Sequence, residues 1–355
     1  MHTRRRVLQL VAGAAVAPPM GVLAAAAPGG PVSGPASGPA SGPAGTPVPR
    51  VVRLSVLQFG TAAWELAAMT ALGLDVAHGL TLELRRAANN DAGRLAFLTG
   101  AVDGVVSDLL WAARMRVEGR PLVYLPFSTA EGAIMVASGS PLRSLADLRG
   151  ARLGVAGGPL DKSWLLLRAY ARARAGMELT AAQLSFGAPP LLAAKLEQGE
   201  LDAALLYWTY GARLQAKGFT PLITLDAVVA GFGIAPPPAL VGYVFQGDFA
   251  RPHDPDMAAF AAAVAATKAV LIGTGPQTDA AWAAARPLMQ APDDATFAAL
   301  RAGFVAGVPR RSAREEAAAA GRLLAVLVAQ GGAKLLGPVE ALPANLYWAA
   351  GGAVP

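Results

Sequence analysis

A short pattern occurs twice in this chain, about a hundred residues apart: Leu98-Thr-Gly-Ala-Val-Asp103-Gly-Val-Val-Ser107 and Leu196-Glu-Gln-Gly-Glu-Leu-Asp202-Ala-Ala-Leu-Leu206. In each copy a helix ends on a glycine free to adopt positive φ. An acidic turn residue follows, and an apolar run then reads as a buried strand. The duplication predicts an α/β fold of two similar, doubly wound lobes. In an open parallel sheet ligands sit just beyond the carboxyl ends of the strands, so two lobes facing each other there enclose a cleft.

Thr3-Arg-Arg-Arg-Val-Leu-Gln9 places arginines directly before an uncharged Ala/Val/Leu stretch that runs to Ala27, the form of a twin-arginine or Sec export signal spanning 1–27. Cleavage is expected near Ala24 to Ala27. The alternative, a basic arm for nucleic acid or membrane, fits poorly with an apolar run that carries no charge. The chain has no cysteine, so lipidation of the bacterial lipoprotein kind and disulfides are both excluded. The formal charge of +6 falls to +3 once Arg4, Arg5 and Arg6 leave with the signal, which does not call for a nucleic-acid partner.

Residues 28–49 repeat Ser-Gly-Pro-Ala and have nothing to bury, so a disordered linker is expected. Folding should begin near Arg50. The first lobe is expected over 50–132 and again over 241–355, and the second over 133–240. Strands are predicted at Val51–Leu57, Leu80–Arg85, Val102–Val106 and Leu122–Pro126, with Asp91 placed to cap the helix that ends at Leu98. Ala133–Ala137 is the first strand after the crossing. Strands at Arg152–Ala156, Gln183–Phe186, Ala203–Leu206 and Leu222–Leu225 then repeat the earlier order. The uncharged run from Ala227 to Gly247 could span a bilayer by length, but Pro236, Pro237 and Pro238 make it a connection. Val241–Phe245 is expected to return to the first sheet, giving a two-strand hinge, and everything after Asp254 is helical and packs on the first lobe.

Leu142-Arg-Ser-Leu-Ala-Asp-Leu-Arg-Gly-Ala-Arg-Leu-Gly-Val-Ala156, followed by Gly157 and Gly158, resembles a segment of periplasmic substrate-binding proteins of ABC importers. The nearest group is the nitrate, sulfonate and taurine type, which includes receptors for thiamine-pyrimidine precursors. Lys195–Tyr210, the Gly218-Phe-Thr-Pro-Leu222 segment and Val244–Ala263 are similar to the same family, and the resemblance spans about residues 51 to 330. It implies a type II periplasmic-binding-protein fold, a hinge of two strands and delivery of a small-molecule solute to a membrane permease; with the export signal and the lack of cysteine, the mature chain is expected as a monomer free in the periplasm. The cargo is not implied.

Strand-end loops supply the candidate binding residues. The first lobe offers Gln58, Thr61, Trp64, Asn90, Asp108, Trp111 and Glu131; the second offers Gly157, Gly158, Asp161, Lys162, Ser163, Trp164, Tyr207 and Trp208. Helices starting at these loops point free backbone N–H groups into the cleft. Gly157-Gly158-Pro-Leu-Asp161-Lys162-Ser163 lets backbone approach a ligand, but a phosphate loop needs glycine where Asp161 stands. The bland alternative is a strand-to-helix turn in which Asp161 only caps. Trp64, Trp111, Trp164, Tyr207 and Trp208 all fall within one turn of a cleft-facing helix start, where they could stack on a flat organic ligand or simply pack in the core. Asp108, Glu131 and Asp161 outnumber Lys162, which favours a neutral or partly cationic ligand over a buried sulfonate or nitrate. Asp103 and Asp202 read as turn stabilisers.

Catalytic signatures are thin. Beyond the signal only His78 and His253 remain, there is no zinc spacing, no Gly-x-Ser-x-Gly elbow and no dinucleotide fingerprint, so neither metal nor cofactor is expected. A carboxylate-based reaction at Glu131 or Asp108 is the enzymatic alternative, and a receptor that reports to a signalling protein is a third.

Overall fold

The computed structural model describes residues 50–58, 60–179, 182–247, 255–331 and 333–349. The expected export signal and linker, and His253, lie outside them. The chain opens with β1 (Arg50–Leu57), α1 (Ala62–Ala71), α2 (Leu74–Ala77), β2 (Leu80–Ala87), α3 (Asn90–Leu98), β3 (Gly104–Asp108), α4 (Leu109–Val117) and β4 (Leu122–Ser128). It then crosses into β5 (Ala133–Val136), a 3-10 turn (Leu145–Leu148), β6 (Arg152–Ala156), α5 (Lys162–Ala175), β7 (Gln183–Gly187), α6 (Pro189–Glu197), β8 (Ala203–Leu206), α7 (Trp208–Ala216), β9 (Thr220–Thr224) and α8 (Leu225–Ala230). β10 (Val241–Gln246) follows, then α9 (Pro255–Ile272), α10 (Pro276–Met289), α11 (Asp294–Ala306), α12 (Ala313–Gly331) and α13 (Ala333–Leu336).

Two five-stranded sheets result, ordered β2-β1-β3-β10-β4 and β7-β6-β8-β5-β9. The orders match position for position. In the first sheet β10 runs antiparallel to β3 and β4; in the second β5 runs antiparallel to β8 and β9. Each inserted strand is the segment that arrives from the other sheet, so the chain crosses between the lobes twice.

The duplicated motif does one job in both lobes. Gly100 and Gly199 each take φ of 73°, which reverses the chain after its helix. Asp103 then accepts from the backbone N–H and guanidinium of Arg53, the latter at 2.6 Å, and Asp202 does the same for Arg152, also at 2.6 Å. In both lobes 50 residues separate aspartate from arginine. These forks fix the start of the third strand against the first, as expected of turn stabilisers.

Several details differ from the sequence reading. β3 begins two residues later than expected, so Asp108 is its last residue and also the N-cap of α4, accepting from the Trp111 N–H at 2.8 Å. The cap of α3 is Asn89, whose Oδ1 accepts from the Ala92 N–H at 2.9 Å, while Asp91 lies exposed one turn from Arg94. A capping side chain must precede the first helical turn, and Asp91 is already inside it. The uncharged run expected as a connection begins inside α8, which starts at Leu225 and is capped by Thr224.

The first lobe's core is built by α1, α9 and α10 against one face of its sheet. α9 is long and apolar enough to cross a bilayer by length and composition, yet its Met257, Phe260, Val264 and Leu271 pack into this core. Beneath it Glu65 is wholly buried, paired with Lys268 and accepting from the Tyr243 hydroxyl at 2.9 Å. Burial pushes the Glu65 carboxyl up, and the Lys268 ammonium only partly offsets this. Not every C-terminal helix packs on the first lobe alone. α11 lies against α7, and α12 packs on both β4 and α5, where Arg172 donates to the Gln330 carbonyl at 2.6 Å.

At the first crossing a Cβ on Gly132 would stand 1.8 Å from the Leu206 carbonyl oxygen, and the Gly132 carbonyl accepts from the Leu225 N–H at 2.9 Å. Gly132→Ala should therefore destabilise the chain by about 3 kcal/mol, the upper end for overpacking, when urea midpoints are compared.

Candidate functional site

Three helix-capping or helix-starting turns at strand ends meet between the lobes. In the first lobe Arg94, from α3, pairs with Asp108, donates to Ser107 Oγ at 3.0 Å, and lies 5.0 Å over the Trp111 ring. In the second, Asp161 caps α5 by accepting from the Ser163 N–H at 2.9 Å, and its other oxygen accepts from the Tyr207 hydroxyl at 3.2 Å. Glu131, on the crossing between β4 and β5, accepts from Lys162 Nζ at 2.5 Å. The side chains of that pair are 1% and 8% exposed, which makes it a desolvated ion pair rather than a surface contact.

Burial dominates the proton affinities here. It lifts the Glu131 carboxyl to about 7, with Lys162 pulling it down and Asp161 and Asp226 pushing it up. Burial alone would lower the Lys162 ammonium, but Glu131, Asp161 and Asp108 together hold it above its ordinary value. Burial raises Asp161 as well, opposed by Lys162 and reinforced by Asp108 from the facing lobe. Charges on both lobes thus act on one another across the cleft.

The aromatic residues divide. Of the five rings that could stack or pack, Trp64, Trp111 and Trp164 are buried among the protein's own side chains. Trp164 sits in the second lobe's core with its ring 6.1 Å from Phe186, and Trp111 lies 6.0 Å from Phe97. Trp64 meets Trp208 edge-on at 6.0 Å, a contact between the lobes. Trp208 in turn lies over Gly303 of α11, where a Cβ would stand 2.5 Å from the ring. Tyr207 and Trp208 stay partly exposed.

The glycine turn is more closed than its sequence suggests. Gly157 has φ of 85°, and a Cβ there would fall 2.8 Å from Asp161 Oδ2, so the turn folds onto its own cap. The room next to Gly158 is open. Ser163 is buried, Thr61 and Asn90 are half-buried at the starts of α1 and α3, and Gln58 is exposed at the end of β1. Among the described residues no side-chain hydrogen bond or ion pair ties Gln58, Thr61 or Asn90 to the cluster.

Beside Glu131 lies a cavity of about 250 Å³. Its walls are the crossing at Thr129–Ala133, Trp208 and Ala212 of α7, Thr224 and Asp226 at the start of α8, and Gly303, Ala306 and Gly307 at the end of α11. Sequence reasoning missed Arg94, Asp226 and the α11 glycines. Arg94 carried a usable signal, one turn into a cleft-facing helix like the tryptophans. Gly303 and Gly307 carried none, because nothing local says which lobe-bridging helix they cover.

No protein-family model and no curated protein matches the sequence. Among solved structures, the alkanesulfonate-binding protein SsuA from Xanthomonas axonopodis pv. citri, bound to MOPS, is 17% identical with a TM-score of 0.63, over 84% of this chain and 98% of its own. The periplasmic aliphatic sulphonate binding protein SsuA from Escherichia coli is 20% identical with a TM-score of 0.58, over 84% and 99%. This chain has the two-lobed fold of ABC-type solute-binding proteins. The ligand-binding component of an ABC-type import system from Staphylococcus aureus, with zinc bound, is similar too, at 16% identity and a TM-score of 0.60, over 79% and 91%.

Two predictions follow from this geometry. Between about pH 4.5 and 7 the folded chain keeps a proton on Glu131 that the unfolded chain has released, so this site's contribution to stability falls as pH rises. Glu131→Gln should remove this pH dependence: as pH rises from about 5 to about 7.5 the variant should lose up to about 3 kcal/mol less stability than wild type in urea titrations, whatever its offset from losing the Lys162 partner. Trp164→Ala should cost about 3–5 kcal/mol by the same measurement, as expected for an emptied core site.

Proposed function

We propose that this chain is an exported, monomeric solute-binding subunit that closes two lobes over a small organic molecule and hands it to an ABC-type import permease. The observation that carries this reading is that Asp108 and Arg94 from one lobe and Asp161, Lys162 and Tyr207 from the other stand at the strand ends of two sheets joined by two crossings, near enough for their charges to act on one another. A ligand held by both lobes stabilises the closed form by its differential affinity for it. The likeness to import-system binding proteins supports capture over catalysis.

The sulfonates bound by two of those neighbours do not transfer readily. Arg94 is engaged by Asp108 and Lys162 by Glu131, so a buried sulfonate would have to compete with a carboxylate for either cation. We therefore assign the chain a neutral or partly cationic cargo. A receptor passing its loaded state to a signalling protein would use the same fold and cleft.

One observation favours an enzymatic reading: a buried carboxyl lifted to about 7, as at Glu131, is suited to general acid–base work. Native mass spectrometry of the mature chain purified from its host distinguishes them. A one-to-one adduct with an unchanged organic molecule is expected; turnover of that molecule to a new mass favours the enzyme, and a chain that takes up nothing from a host metabolite extract defeats the capture reading.

A further inference from the structure

Contacts between the lobes gather on one side of α7. Trp208 and Ala212 stand four residues apart on that helix, so they share a face, and both pack against the first lobe's core. Trp208 meets Trp64 of α1 edge-on at 6.0 Å and lies against Gly303 of α11. Arg213 donates from Nη1 to Thr209 of its own helix and from Nη2 to the Met289 carbonyl at 2.5 Å, where α10 ends. α7 follows β8 and moves with the second sheet, whereas α1, α10 and α11 belong to the first lobe.

Gly303 is the informative residue. It lies inside α11, where glycine is a poor helix former, and its φ is not positive, so no turn calls for it. What calls for it is room: a Cβ would stand 2.5 Å from Cζ3 and 3.0 Å from Cε3 of the Trp208 ring. The helix gives up local stability for close approach by the other lobe. The strand-end gap meanwhile is satisfied by the chain's own groups. Asp161 accepts from the Tyr207 hydroxyl and the Ser163 N–H, and Asp108 from Arg94 and the Trp111 N–H. Neither carboxylate needs a cargo group to complete its hydrogen bonding.

We propose that Trp208 and Arg213 form a clasp, seated on Gly303 and the Met289 carbonyl, that holds the two lobes closed on each other in the absence of cargo. The inference goes beyond the capture reading, because it makes closure the resting state of the empty chain. Cargo then enters through the open minority, and its rate of entry scales with that fraction.

The chain has no cysteine, so a pair introduced at exposed Asp91 and Leu191 carries spin labels at those sites alone. Both positions follow edge strands, β2 and β7, at the sheet margins farthest from the crossings, where opening separates the lobes most. The mature labelled chain is unfolded in guanidinium, dialysed, refolded and checked by native mass spectrometry for absence of any adduct. Its pulsed electron-spin distance should then be short, matching the closed lobes, in most molecules. Trp208→Ala and Gly303→Ala should each move most of the distribution to longer distance, and the double variant no further than either, because both break one contact. Arg213→Ala should move part of it. Arg172→Ala, which removes a different bond between the lobes, to the Gln330 carbonyl of α12, should leave the distance short. If Trp208→Ala does not fold, Gly303→Ala, which improves α11 as a helix, still reads the clasp. A long distance in the adduct-free wild-type chain overturns the proposal. So does a short one that Gly303→Ala leaves unchanged, or a lengthening as great in Arg172→Ala. None of these outcomes touches capture, which fails separately when the host-purified chain carries no organic adduct.

Discussion

Each sheet takes its fourth strand from chain that has just left the other sheet. β5 can run antiparallel between β8 and β9 only because it enters from β4, and β10 can occupy the equivalent place only because it comes back from α8. Neither sheet is complete without the crossing. The two connections therefore leave hinge-like relative rotation as the soft motion between otherwise rigid lobes, and they hold the strand ends of both sheets toward one gap.

The gap is polar in a particular way. Caps that satisfy helix starts, Asp108 for α4 and Asp161 for α5, are also the carboxylates that face each other across the lobes. Each has a second partner, Arg94 or Tyr207, so the same side chain orders its own lobe and presents charge to the other. Glu131 differs, since it lies on the crossing and not on a helix start. Its pairing with Lys162 couples the hinge to the second lobe. Trp208 bridges the lobes by settling onto a glycine of α11, a contact that a side chain at Gly303 would block.

The fold was legible in the sequence wherever local chemistry repeats. The paired Gly-x-x-Asp turns announced two lobes of the same order, and nearly every strand and helix falls within a few residues of its expected place. Helix ends were less legible, as Asn89 and Asp91 illustrate: both can cap, and only the residue just outside the first turn does. The candidate site was legible as a set of strand-end loops but not as a set of exposed groups. Trp64, Trp111 and Trp164 satisfy the same spacing argument as Trp208, yet three of the four rings are consumed by packing. The preference of large aromatic side chains for burial is a property of type, while which one keeps a free face depends on what lies opposite.

By itself the sequence determined the class of fold, the duplicated turn and the excess of carboxylates at strand ends, because each follows from backbone conformation, hydrophobic period and capping chemistry within a few residues. Only the tertiary structure decided the partners: Arg53 with Asp103, Arg94 with Asp108, Lys162 with Glu131 and Trp208 with Gly303. Burial, and with it the strength of an ion pair or the proton affinity of a carboxyl, is set by atoms distant in the chain, so no local pattern contains it.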